Sequence, residues 1–87
     1  NYFMAKNKIE LPDGTDVSAI LKKMEAKYVK EKLNKEDGLR IEMDGDWVHL
    51  RASNTEPIIR IYAESKTKTT AENIARKMMD DIRVIMK

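Results

Sequence analysis

The sequence predicts an α+β fold, a two-layer sandwich in which one four-stranded antiparallel sheet carries two helices on one face. Three observations lead there. Four stretches alternate apolar and polar residues, two longer stretches repeat apolar residues at helical spacing, and clusters of turn-forming residues lie between them. Read along the chain, the order is β-α-β-β-β-α. Eighty-seven residues leave room for one such core and no second.

The first strand is read at residues 6–11, where Ile9 and Leu11 fall on one side and Lys8 and Glu10 on the other. Pro12-Asp13-Gly14 then turns the chain. Val17, Ile20, Leu21, Met24 and Tyr28 follow at helical spacing, which predicts a helix over residues 16–33 with Thr15 as its N-cap. Leu39, Ile41 and Met43 alternate with Arg40 and Glu42 as a half-buried strand. Asp44-Gly45-Asp46 reverses the chain into a strand at residues 47–52. Here Val48, Leu50 and Ala52 share the apolar face, while Trp47, His49 and Arg51 share the other. After an interruption at residues 53–57, Ile59, Ile61 and Ala63 point inward, and Arg60, Tyr62 and Glu64 outward. Ala71, Ile74, Ala75, Met78, Ile82 and Ile85 predict a last helix over about 70–86, opened by a capping box of Thr69 and Glu72. Residues 6–87 thus form the domain. Residues 1–5, with the apolar run Tyr2-Phe3-Met4 outside the pattern, are read as a hinge from a preceding domain.

Composition narrows the chemistry. The formal charge is +2 with both signs spread along the chain, too even for a protein held to nucleic acid or an anionic membrane by bulk charge. There is no cysteine, so disulfides, thiolate catalysis and cysteine-based zinc sites are excluded. His49 is the one histidine, and without a His or Cys partner it offers no metal cage. No run approaches the roughly 18 apolar residues of a membrane span.

The informative stretch is Arg51-Ala52-Ser53-Asn54-Thr55-Glu56-Pro57-Ile58-Ile59-Arg60. It joins two adjacent antiparallel strands whose apolar positions, 48, 50, 52 and 59, 61, 63, must face the same way. Cross-strand partners therefore sum to an odd number. A sum of 111 pairs Ser53 with Ile58, leaves a four-residue loop and sets Arg51 directly opposite Arg60. Two guanidinium groups whose side chains start about 5 Å apart repel each other unless an anion lies between them. Glu56 or Glu42 is one candidate for that anion. An external phosphate or sulfate at the loop mouth is the other. Ser53 and Thr55 hydroxyls, the Asn54 amide and the loop N–H groups favour the second, because together they can form an anion nest. Arginine also meets phosphate with two parallel hydrogen bonds, and Pro57 stiffens the loop exit.

At this loop the chain resembles the C-terminal domain of the α-D-phosphohexomutases. Their phosphate-binding loop has the form Arg-x-Ser-Asn/Gly-Thr-Glu-Pro followed by an arginine-bearing strand, which stands here as residues 51–57 with Arg60 beyond. The likeness extends to Asp37-Gly38-Leu39 before the hairpin and to the helix after Ala63-Glu64, so it runs from about residue 6 to the end. It implies a fourth domain of TATA-binding-protein-like β-α-β-β-β-α architecture. It also implies that Arg51, Ser53, Asn54 and Thr55 contact the substrate's phosphate, with Arg60 supporting or joining them. Asn54 is similar to the phosphomannomutase/phosphoglucomutase branch, which makes that the first reading of substrate and phosphoglucosamine mutase the second. Ala52 stands where proline is frequent in the family.

The reaction that the resemblance implies is an isomerisation of hexose 1-phosphate and 6-phosphate through a bisphosphorylated sugar. A phosphoserine and a Mg²⁺ in other domains of a cytoplasmic parent enzyme would perform it. Neither the serine segment nor the metal-binding aspartates have a counterpart here, so this domain is expected to bind no cofactor and to turn nothing over alone. Its expected partners are a hexose phosphate and the preceding domains, with no nucleic acid and no membrane.

A different class of function competes with this one. Trp47, His49 and Tyr62 share the open sheet face with the arginines, an arrangement that can stack RNA bases or meet a protein. An aromatic content of 6% and the absence of a single-strand-binding motif weigh against RNA. His49 as a general base lacks a paired nucleophile.

Overall fold

Alternation and helical spacing become seven elements in a computed structural model that describes all residues, 1–87. They are β1 (Phe3–Glu10), α1 (Val17–Lys27), β2 (Lys32–Asn34), β3 (Leu39–Met43), β4 (Asp46–Ala52), β5 (Ile58–Ser65) and α2 (Lys68–Ile85). The sheet is antiparallel throughout, in the order β1-β5-β4-β3-β2. Both helices pack on the face built by Ile41, Val48, Leu50, Ile59 and Ile61, all of which are fully buried.

The sheet has five strands rather than four, and the fifth comes from the end of the expected first helix. α1 stops at Tyr28, whose backbone N–H donates to the Met24 carbonyl at 3.1 Å. Three and four residues beyond Tyr28, the buried stripe of a continuing helix would fall on Glu31 and Lys32, two charges with no partner in the core. Extending instead, the chain pairs Leu33 with Ile41 and lays that leucine against the core. At three residues, with Lys32 and Asn34 pointing the other way, β2 is short and polar enough to make a safe sheet edge.

Both caps also move. Asp16, not Thr15, caps α1 by accepting the Ala19 N–H at 3.0 Å, while the Thr15 hydroxyl donates back to the Pro12 carbonyl. Thr67 caps α2 and accepts the Thr70 N–H at 3.1 Å, so the capping box of Thr69 and Glu72 is replaced by a cap two residues earlier. β1 begins at Phe3, three residues before the clear alternation, and pairs with β5 along its whole length. The β3–β4 hairpin turns on Asp44 and Gly45, both at positive φ, 44° and 85°, the two-residue turn whose twist matches the strands.

α1 and α2 are joined by one polar cluster at the rim of the core. The Asp81 carboxylate accepts from the Tyr28 hydroxyl, from Lys77 Nζ at 3.2 Å, and pairs with Lys27 Nζ at 3.3 Å. Burial works to raise the Asp81 carboxyl, but these three donors together hold it below the usual carboxylate range. Burial pushes the Tyr28 hydroxyl up, and Asp81 adds to that; Lys77 is raised by its bond to Tyr28 and by Asp81.

Candidate functional site

The strand register puts two arginines side by side. β4 and β5 pair Arg51 with Arg60 and Ala52 with Ile59, the sum of 111 expected from parity. The Ser53 N–H closes the hairpin onto the Ile58 carbonyl at 3.0 Å, leaving residues 54–57 as the loop. Within it the Thr55 N–H points to the Ser53 hydroxyl at 3.4 Å, and the Ile58 N–H donates to the Glu56 carbonyl at 2.8 Å. The Pro57 carbonyl accepts the Leu11 N–H at 2.8 Å, tying the loop exit to the end of β1. Asn54 and Thr55 are exposed and Ser53 is half-buried, so the loop's polar groups are open to solvent.

The counter-ion is neither Glu56 nor Glu42. Asp37, in the turn before β3, places its carboxylate 3.5 Å from Arg51 Nε. Glu42 is engaged elsewhere, by Lys32 at 3.5 Å and Arg40 at 3.6 Å. Arg60 has no carboxylate within ion-pair distance. On the far side of Arg60, β1 contributes Lys8 at the directly opposed register position. Three cations, Lys8, Arg60 and Arg51, therefore cross three adjacent strands in one row. Two partial neutralisers, Glu10 on Lys8 and Asp37 on Arg51, are both exposed. Beside the row lies an open depression lined by Lys6, Asn7, Lys8, Arg60 and Tyr62. So concentrated a positive field on a chain of net charge +2 makes this end of the open face suited to an anion.

Asp37 and Lys8 are the side chains that sequence reasoning passes over. Asp37 belongs to the noted Asp37-Gly38-Leu39 segment, but only the tertiary fold brings it to Arg51. Lys8 reads as an ordinary wet-face lysine until β1 is paired with β5. The rest of the open face is occupied by its own side chains. Trp47 Nε1 donates to Glu64 at 2.7 Å, and the Arg40 guanidinium lies over the Trp47 ring, 4.4 Å from its centre. That leaves one face of the tryptophan already stacked. His49 Nε2 donates to the Asp37 carbonyl. No three His, Asp or Glu side chains gather as metal ligands would.

A family model described as phosphoglucomutase/phosphomannomutase, C-terminal domain, matches residues 7–81. The chain belongs to this phosphohexomutase family. Curated relatives agree. A phosphoglucosamine/phosphogalactosamine mutase of Sulfurisphaera tokodaii is 35% identical over 79 residues, 88% of this chain and 17% of that protein. A probable phosphoglucosamine mutase of Pyrococcus abyssi is 37% identical over 79 residues, 87% of the chain and 18% of the relative. A phosphoglucomutase/phosphomannomutase of Thermococcus kodakarensis is 50% identical over 40 residues, 46% of the chain and 9% of the relative. The phosphohexomutase domain thus spans less than a fifth of the length of these relatives. The two that match along most of the domain are named for amino sugars. A loop suited to a phosphate says little about the sugar attached to it.

Proposed function

We propose that this chain is the substrate-phosphate grip of a sugar-phosphate mutase, with Arg51, Ser53, Asn54, Thr55 and Arg60 as the contacting residues and an amino-hexose phosphate as the substrate. The observation that carries the reading is the opposed pair of Arg51 and Arg60 at the mouth of a polar loop, with a single exposed carboxylate set against their two charges. A phosphate dianion offers both guanidinium groups charge-assisted hydrogen bonds and removes their repulsion. The names of the relatives that match along most of the chain support the amino sugar.

In the parent reaction the phosphoryl group leaves one end of the sugar and another arrives at the opposite end. The chemistry of transfer belongs to a phosphoserine and a metal ion held by other parts of the parent. This chain's residues hold the phosphate that is not reacting. Its fixed position sets the distant hydroxyl in line for attack, so remote binding energy lowers the barrier. The bisphosphorylated intermediate has to be held in two orientations. A grip centred on phosphate oxygens, with no contact to ring stereochemistry, accepts both.

The test is a titration of the ¹⁵N-labelled chain with glucosamine 6-phosphate. Amide shifts confined to residues 51–60, lost in Arg51→Ala with the fold intact, support the reading. Unchanged binding in that variant overturns it. Affinity near 1 mM, worth about 4 kcal/mol, is expected because few contacts enclose the ligand here. Shifts at Trp47, His49 and Tyr62 on adding an oligonucleotide instead would favour an RNA-binding module.

A further inference from the structure

We propose that Asp37 is a positioning residue: its carboxylate, at ion-pair distance from Nε, draws the Arg51 guanidinium into an orientation that presents the two terminal nitrogens to phosphate. The inference rests on the phosphate reading of the loop and names what prepares its principal arginine.

The backbone at Asp37 is fixed from several sides. Gly38 has φ 70° and lies against β4, where a Cβ would run into the Leu50 carbonyl oxygen and sit 3.3 Å from the Arg51 Cα. Leu39 enters the ladder opposite Leu50, and the Glu36 N–H donates to the Asn34 side chain at 2.9 Å. His49, two residues before Arg51 on the same strand face, donates its ring N–H to the Asp37 carbonyl. The turn is thereby pinned over the root of Arg51, and the carboxylate that it carries meets Nε at 3.5 Å.

Stability does not account for this arrangement. The two side chains are 54% and 65% exposed, and ion pairs so exposed contribute little to folding. Orientation accounts for it better. An arginine side chain is long and loses much rotational freedom when a ligand orders it, whereas one already held loses less on binding. With Nε turned toward Asp37, the Nη groups remain for an end-on pair of hydrogen bonds to phosphate oxygens. The same carboxylate also repels a dianion. Orientation and repulsion therefore predict opposite effects of removing the charge.

The experiment compares wild type, Asp37→Asn and Arg51→Ala by titration with inorganic phosphate, following loop amides and the Arg51 Nε–Hε signal. If Asp37 orients the arginine, Asp37→Asn weakens phosphate binding by about three- to tenfold, as expected when a pre-oriented side chain becomes free to rotate. The Nε–Hε signal should also move, with the melting temperature unchanged. Equal or tighter phosphate binding in Asp37→Asn overturns the inference and leaves Asp37 a competing counter-ion. Failure of the phosphate reading looks different: no loop shifts in wild type, and none to lose in Arg51→Ala. Should Asp37→Asn unfold, Asp37→Glu carries the test, since it keeps the charge and lengthens the arm. Orientation then expects weaker binding than wild type, and charge alone expects equal binding.

Discussion

Arg51 and Arg60 oppose each other across a strand pair, and like charges so placed cost up to about 1 kcal/mol. Exposure to solvent reduces that to a few tenths. Arg60→Thr should therefore stabilise the ligand-free domain slightly while weakening phosphate binding, an antagonism that thermal melts with and without phosphate will expose. Phosphate itself should raise the melting temperature of wild type. At ten times the dissociation constant the gain is about 1.4 kcal/mol, or roughly 5–10 °C for a domain of this size. Arg51→Ala should show almost none of that increase. The pairing of these arginines is legible in the sequence, because alternation on both sides of the loop leaves only odd register sums. Asp37 is not, because it lies in a turn whose position depends on the approach of Gly38 to Leu50, a contact that no periodicity encodes.

At the scale of elements, the α1–α2 junction depends on Asp81. Its carboxyl is held below the usual range in the folded state, so the stability it contributes is present above the unfolded value of about 4 and is lost as the pH falls through the lower folded value. Acid melts of wild type should show that loss, and Asp81→Asn should flatten it. Tyr28 and Lys77 are both raised, so their contributions last until the pH climbs past about 10. Asp81→Ala, which also strands the Tyr28 hydroxyl and the two lysines, should cost about 1–3 kcal/mol in denaturant unfolding. Lys8 acts through its element as well. Lys8→Ala should weaken phosphate binding two- to fivefold, roughly the scale of one exposed charge contact, and steeply less so at high salt. The element boundaries expected from the sequence fail where a segment carries one apolar residue. β2 offers only Leu33, too little alternation to separate a strand from a fraying helix end.

For the whole molecule, the two-layer architecture is legible because the core strands bury alternate residues and α2 carries its apolar stripe through Ala71, Ala75, Met78 and Ile82. The cationic row is legible only in part, since it takes members from three strands and its counter-ion from a distant turn. On the proposed function, assays of the chain alone with glucosamine 6-phosphate should give loop shifts and no isomerised product.

The bond from the Leu11 amide to the Pro57 carbonyl has a mechanical consequence. β1 is locked to β5 by eight successive register pairs and then fastened to the loop exit by that bond. A load drawn along β1 from its amino end is shared by all of those rungs at once, a shear that strand pairs resist far better than peeling. Whatever displaces β1 therefore carries the loop with it as one stiff lever. A ligand held there as proposed would travel with the strand.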